Sequence, residues 1–212
     1  MWYRARETLK TKNHQLVSGE SLMTPQEYLT NNGRFLFLYG PIAPYLYKGN
    51  ECIASYLIDN MIAMAHEDPA APIKLIIDSE GGDADSGFQI YDAMNSLSCP
   101  VYTIGRSCAS MAAILFAAGQ NGHRYLYKNS KFMLHLPYGE IRGDSAEIAI
   151  KSREIEKVRD DLVKVLIDNG AKKNKEEILA DINREKWFNA QEVIDYGIAD
   201  KIITRENSPF NF

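Results

Sequence analysis

Ser110 stands in Ala109-Ser110-Met111-Ala112, where a strand and loop give way to the apolar segment Met111–Ala118 that closes at Gly119. A serine at the mouth of a helix has two readings. It caps the first turn, as serines commonly do, or its hydroxyl is a nucleophile and the Met111 amide points outward where an oxyanion would form. His135, in Met133-Leu134-His135-Leu136-Pro137, divides in the same way. It is a hydrogen-bonded core histidine, or a general base that takes a hydroxyl proton near neutral pH and returns it to a leaving amine. The third candidate is Gly81-Gly82, just beyond the apolar run Ile73–Ile77. A glycine pair there makes a turn needing positive φ. Alternatively, it lets a substrate backbone approach past the carboxyl end of a strand and adds a second oxyanion amide.

The elements that must position these residues are readable from their spacing. Arg34–Tyr39 is a short aromatic strand closed by Gly40-Pro41. Between Asn50 and Glu67, apolar residues at Ile53, Leu57, Met61 and Met64 fall on one helical face. Ile73–Ile77 is uninterrupted and apolar, the pattern of a strand buried on both sides. Phe88, Tyr91 and Met94 resume helical spacing up to Pro100. Val101–Ile104 predicts a strand, Gly105–Ala109 a loop, and Ser110–Ala118 a helix. Arg124–Tyr127 and Lys131–Leu136 predict two further strands. Asp144 and Glu147 form a capping-box pattern opening a long amphipathic helix to Asn169-Gly170. Short helices follow near Lys175–Ile182 and Ala190–Tyr196. Residues 1–33 read as an irregular arm with one short helix near Pro25–Leu29. Strands alternating with helices make an α/β protein, with the folded domain expected over residues 34–212.

Composition narrows the function classes. The 212 residues carry a net charge of −4 and no long run of Lys or Arg, so neither nucleic acid nor an anionic membrane is an expected partner. The longest apolar stretch, Met111–Ala118, is far short of the roughly 18 residues of a membrane span. No export signal is expected from the polar N-terminus. Cys52, Cys99 and Cys108 are an odd set with no C-x-x-C, and read as free thiols of a reducing, cytoplasmic compartment. No phosphate-binding loop, dinucleotide fingerprint, zinc helix or G-x-S-x-G elbow occurs. No cofactor or metal is called for.

Taken in order, Asp78-Ser79-Glu80-Gly81-Gly82, Ala109-Ser110-Met111-Ala112, Met133-Leu134-His135-Leu136-Pro137, the long Ile148–Leu166 helix and Trp187–Asp200 resemble the proteolytic subunit of the Clp protease, over about residues 34–204. The resemblance implies a crotonase-like α/β fold with a protruding helical handle. It also implies a serine endopeptidase of the Ser-His-acid type. Ser110 would be nucleophile and His135 base, with the Gly82 and Met111 amides as oxyanion hole. Gly82, Asp83, Ala84 and Leu136 would hold the substrate as added strands. Glu185, in Arg184-Glu185-Lys186-Trp187, occupies the slot of the family's aspartate, and Asp181 is the fallback acid. Glu80 stands where the family has proline, the loop before Ser110 is one residue shorter, and Asn183-Arg184 replaces an acidic-arginine pair that links rings. Implied partners are unfolded polypeptides, an AAA+ unfoldase of the Clp ATPase type, and other copies in heptameric rings, two of them stacked into a closed chamber. Competing readings are a non-catalytic subunit of a mixed ring, an acyl-CoA enzyme of the crotonase type, and a membrane-bound signal-peptide peptidase. The retained Ser110–His135 pair opposes the first two; the missing span opposes the last.

Overall fold

The computed structural model describes residues 16–18, 21–43 and 53–210. Cys52 and the first turn of the helix expected from Asn50 lie outside them. A parallel core of four strands, β3 (Phe35–Tyr39), β4 (Ile73–Ser79), β5 (Val101–Ala109) and β6 (Arg124–Leu134), runs in that order across the sheet. The last strand carries two more partners. Its C-terminal half pairs antiparallel with β7 (Lys186–Phe188), and its N-terminal half pairs parallel with β8 (Lys201–Ile202). Helices α2 (Ile53–Glu67), α3 (Ala84–Ser96), α4 (Met111–Ala117), α5 (Ser145–Asp168), α6 (Lys175–Ile182) and α7 (Ala190–Tyr196) supply the rest.

The alternation of side chains across the sheet builds two cores. Leu36, Leu38, Leu75 and Ile77 face the helices and join one large cluster centred on α4, all seven of whose residues are buried. Phe35, Phe37, Ile76, Ile104 and Tyr125 face the other way and form a smaller cluster against Leu29 and Phe210. A helix apolar all round has no solvent face to offer. Burial of α4 therefore fixes its N-terminus, and with it the half-buried Ser110, relative to the core.

Three expectations need correction. Gly105–Ala109 is strand, not loop. After a bulge at Gly105/Ser107, residues Ser107, Cys108 and Ala109 pair with Lys131, Phe132 and Met133. The bulge re-aims the strand and hides the pairing from a short-window reading. The two strands expected at Arg124–Tyr127 and Lys131–Leu136 are one strand ending at Leu134, and the side chain of Ser130 reaches back to the Gly105 carbonyl at 2.8 Å across the irregularity. The arm is more regular than expected: β1 (Leu16–Ser18) pairs with β2 (Ser21–Met23), and α1 runs from Pro25 to Gly33. Thr24 and Glu27 form its capping box, with Pro25 at the first position. The capping box at Asp144/Glu147 opens α5 as read.

Candidate active site

The turn between β5 and α4 is where the fold stores strain. Ser110 has φ 55° and ψ −127°, outside the ordinary regions for a residue with a Cβ. Such conformations cost about 1–3 kcal/mol and persist only where their surroundings over-determine them. Here the surroundings are the buried α4 on one side and a bond from the Ser110 amide to the Met133 carbonyl, 2.9 Å, on the other. The hydroxyl does not cap the helix. It meets His135 Nε2 at 2.8 Å, so the capping reading of Ser110 and the core-histidine reading of His135 both give way to a serine–imidazole pair.

The glycine pair closes in from β4. Gly81 has φ 89°, and a Cβ on it would lie 2.6 Å from the Ala109 carbonyl and 2.8 Å from Ser110 Cβ. Gly82 has φ 143°, and its added Cβ would strike the Ile42 carbonyl at 2.2 Å. Ile42 bridges Gly82 through bonds to the residues on either side: its amide donates to the Gly81 carbonyl and its carbonyl accepts from the Asp83 amide. The Gly82 N–H therefore faces the opposite way. The Met111 N–H, first of its helix, has no acceptor within the helix. Neither amide has a hydrogen-bond acceptor among the described residues.

A cleft of about 770 Å³ opens over the pair and includes Gly82, Asp83, Ala84, Ser110, Met111, His135 and Glu185 in its lining. Two expected residues behave differently. Leu136 gives its amide to the Ile182 carbonyl at 2.9 Å and packs on the main core, so Pro137 and Tyr138, not Leu136, face the cleft. Glu185 reaches the cleft, but its Oε2 accepts the indole N–H of Trp187 at 3.1 Å; among the described residues no hydrogen bond joins it to His135. Asp181 is committed elsewhere, held by the ammonium groups of Lys173 and Lys186 and the hydroxyl of Tyr196. Burial pushes its carboxyl up, and the two lysines more than offset that and hold it below the usual range.

A buried arginine that the sequence reading did not single out braces the opposite end of the sheet, at the start of β6. Arg124, at 3% exposure, forms a bidentate pair with Asp200 and donates to the carbonyls of Asn169 and Gly197, at the C-terminal ends of α5 and α7. Only the parallel β6–β8 pairing and the helix ends around it explain why an arginine belongs there. Sequence spacing alone carries no such signal.

A family model described as Clp protease matches residues 28–206. The chain belongs to the Clp protease family. It is 33% identical over 197 residues to the ATP-dependent Clp protease proteolytic subunit 2 of Treponema denticola, an alignment covering 92% of each chain. It is 35% identical over 158 residues to the protein of the same description from Mycolicibacterium paratuberculosis, covering 74% of this chain and 78% of that one. Among the described residues of this Clp protease family member, no helix is long and apolar enough to cross a membrane, and no group of side chains is arranged to hold a metal ion.

Proposed function

We propose that this chain is a serine endopeptidase subunit that hydrolyses unfolded polypeptides, with Ser110 as nucleophile, His135 as general base and Glu185 as the acid that orients it. The observation that carries the reading is the 2.8 Å contact between Ser110 Oγ and His135 Nε2, at a strained turn over a buried helix. Nε2 takes the hydroxyl proton as Oγ attacks the substrate carbonyl, then delivers it to the leaving amine; water repeats the cycle on the acyl-enzyme. The amides of Gly82 and Met111 hold the oxyanion. Gly82, Asp83 and Ala84 on one wall, and Pro137 and Tyr138 on the other, hold the peptide as an added strand, a mode that reads backbone more than side chain. For Glu185 to accept a hydrogen bond from His135 Nδ1–H, its carboxylate, whose Oε2 is held here by Trp187, must turn toward the imidazole.

The rest of the reading concerns assembly. The fold is taken as crotonase-like, with residues 34–212 as the peptidase domain, residues 1–33 as an arm, and α5 as a handle. A peptidase of broad specificity needs a gated chamber, so the working unit is two stacked heptameric rings in the cytoplasm, fed by an AAA+ unfoldase of the Clp ATPase type. In support, the first nine residues of α5, Ser145–Arg153, are all exposed, Ile148 and Ile150 among them.

A fluorophosphonate probe tests the chemistry. Assembled wild-type protein is expected to label, and Ser110→Ala is not. An assembled wild-type sample that fails to label overturns the peptidase reading.

A further inference from the structure

The titratable groups around the cleft are all of one sign except for His135. Glu80, Asp83, Asp85 and Glu185 line it, and no lysine or arginine does so among the described residues. Glu80, Asp85 and Glu185 are exposed at the rim, while Asp83 is half-buried and uses one oxygen to cap α3 through the Ser86 amide at 2.8 Å. The carboxylates are too dispersed to form a metal site. The floor is apolar: Ile114 comes from α4, and Ile155, Val158 and Leu162 from α5. An apolar floor under an acidic rim is a selective surface, not a neutral one.

We infer that Glu80 and Asp85 are specificity-determining residues, and that the cleft favours peptides in which the scissile residue is flanked by lysine or arginine. The inference rests on the peptidase reading and names its substrate class. The physical basis is direct. Glu80 directly follows β4 and Asp85 lies in the first turn of α3, on either side of the Gly82–Ala84 stretch that is to hold the peptide backbone. Side chains of a bound strand at alternate positions pass over that rim. A cleft lined by charges of one sign focuses the field within it and concentrates the opposite charge. A cationic flank is therefore drawn in, and an anionic one is repelled.

The test uses three peptides with the same central leucine, flanked by lysine, glutamine or glutamate, and reads kcat/KM for the assembled wild-type protein. At low ionic strength the lysine peptide is expected to exceed the glutamate peptide by about tenfold or more, with glutamine between, and 0.5 M salt is expected to compress the series, because exposed charges are screened within roughly 10 Å at 0.1 M. Glu80→Gln with Asp85→Asn is expected to bring the lysine and glutamate peptides together. Binding of the same peptides to Ser110→Ala, followed by fluorescence anisotropy, is expected to show the same order. Equal kcat/KM across the series at low salt, with the glutamine peptide cleaved, overturns the inference and leaves the peptidase standing. Cleavage of none of them, together with no preferential binding by Ser110→Ala, overturns both.

Discussion

Gly81 decides whether Ser110 can adopt its shape. The loop after β4 lies so close to the Ser110 turn that a single methyl group on Gly81 would meet the Ala109 carbonyl and Ser110 Cβ inside contact distance, at a φ that disfavours any side chain. Gly81→Ala is therefore expected to lower kcat at least tenfold while circular dichroism still reports a folded chain, since it displaces Ser110 from His135 rather than opening the core. Unchanged turnover would mean the turn has slack that the contact distances do not suggest. Glu185 makes the second residue-scale prediction. Its carboxylate is shared between two claims, the Trp187 indole it accepts here and the His135 imidazolium it is proposed to stabilise. Glu185→Gln keeps the size and removes the charge, and should cost turnover by two orders of magnitude or more, in the range typical when a triad's orienting carboxylate is neutralised. Trp187→Phe removes only the indole donor and should shift the pH–rate profile without abolishing activity. A pH profile identical to wild type would show that the indole does not compete for the acid.

Arg124 shows why local spacing leaves part of an architecture unread. Ile73–Ile77, the α5 capping box and the face of α2 announced themselves, because each depends on residues a few positions apart. The β5 extension, the single long β6 and the Arg124–Asp200 brace depend on partners far along the chain, and a bulge breaks the period where β5 changes register. The site divides along the same line. Ser110, His135 and the glycine pair were legible as motifs. The displacement of Leu136 from the cleft was not, since it follows from an amide bond to Ile182 on another element. The brace also makes a stability prediction. Arg124→Met removes the cation paired with the Asp200 carboxylate and the donor to three helix-end carbonyls, and breaking one partner of a buried pair costs about 3–5 kcal/mol, measurable by urea unfolding. Burial alone would raise the Asp200 pKa; the hydrogen bonds and charge of Arg124 overcome it and hold the group below its ordinary value. The unfolded chain then binds the proton more readily than the folded one. The contribution is complete above the unfolded carboxyl value of about 3.9 and is lost as pH falls through the folded value. Wild-type stability should drop over that acidic window, and the Arg124→Met variant should show a shallower drop there.

At the scale of the whole molecule, α5 is out of proportion to the core it serves. Its 24 residues contribute four buried side chains, Leu162, Val163, Val165 and Leu166, all in its C-terminal third. The N-terminal turns instead hold Ile148 at 44% and Ile150 at 53% exposure, amid charged residues. An isolated subunit gains little from ordering such a segment, because most helix stability in proteins comes from packing an apolar face. A helix paired with the same helix of an opposing ring would bury those isoleucines on both sides at once, and seven such pairs around a ring would sum to an extended obligate contact. The expected outcome for Ile148→Glu with Ile150→Glu is a shift in light-scattering mass from a double ring to single rings, with the thermal transition of the subunit core little changed, because neither residue belongs to that core. The same variant should also lose peptide turnover in proportion to the loss of double rings, if pairing of the helices holds the α5 wall of the cleft, Ile155 and Val158 included, in place. Wild-type protein that runs as a 212-residue monomer at micromolar concentration would remove the reason for an exposed α5 and the chamber with it.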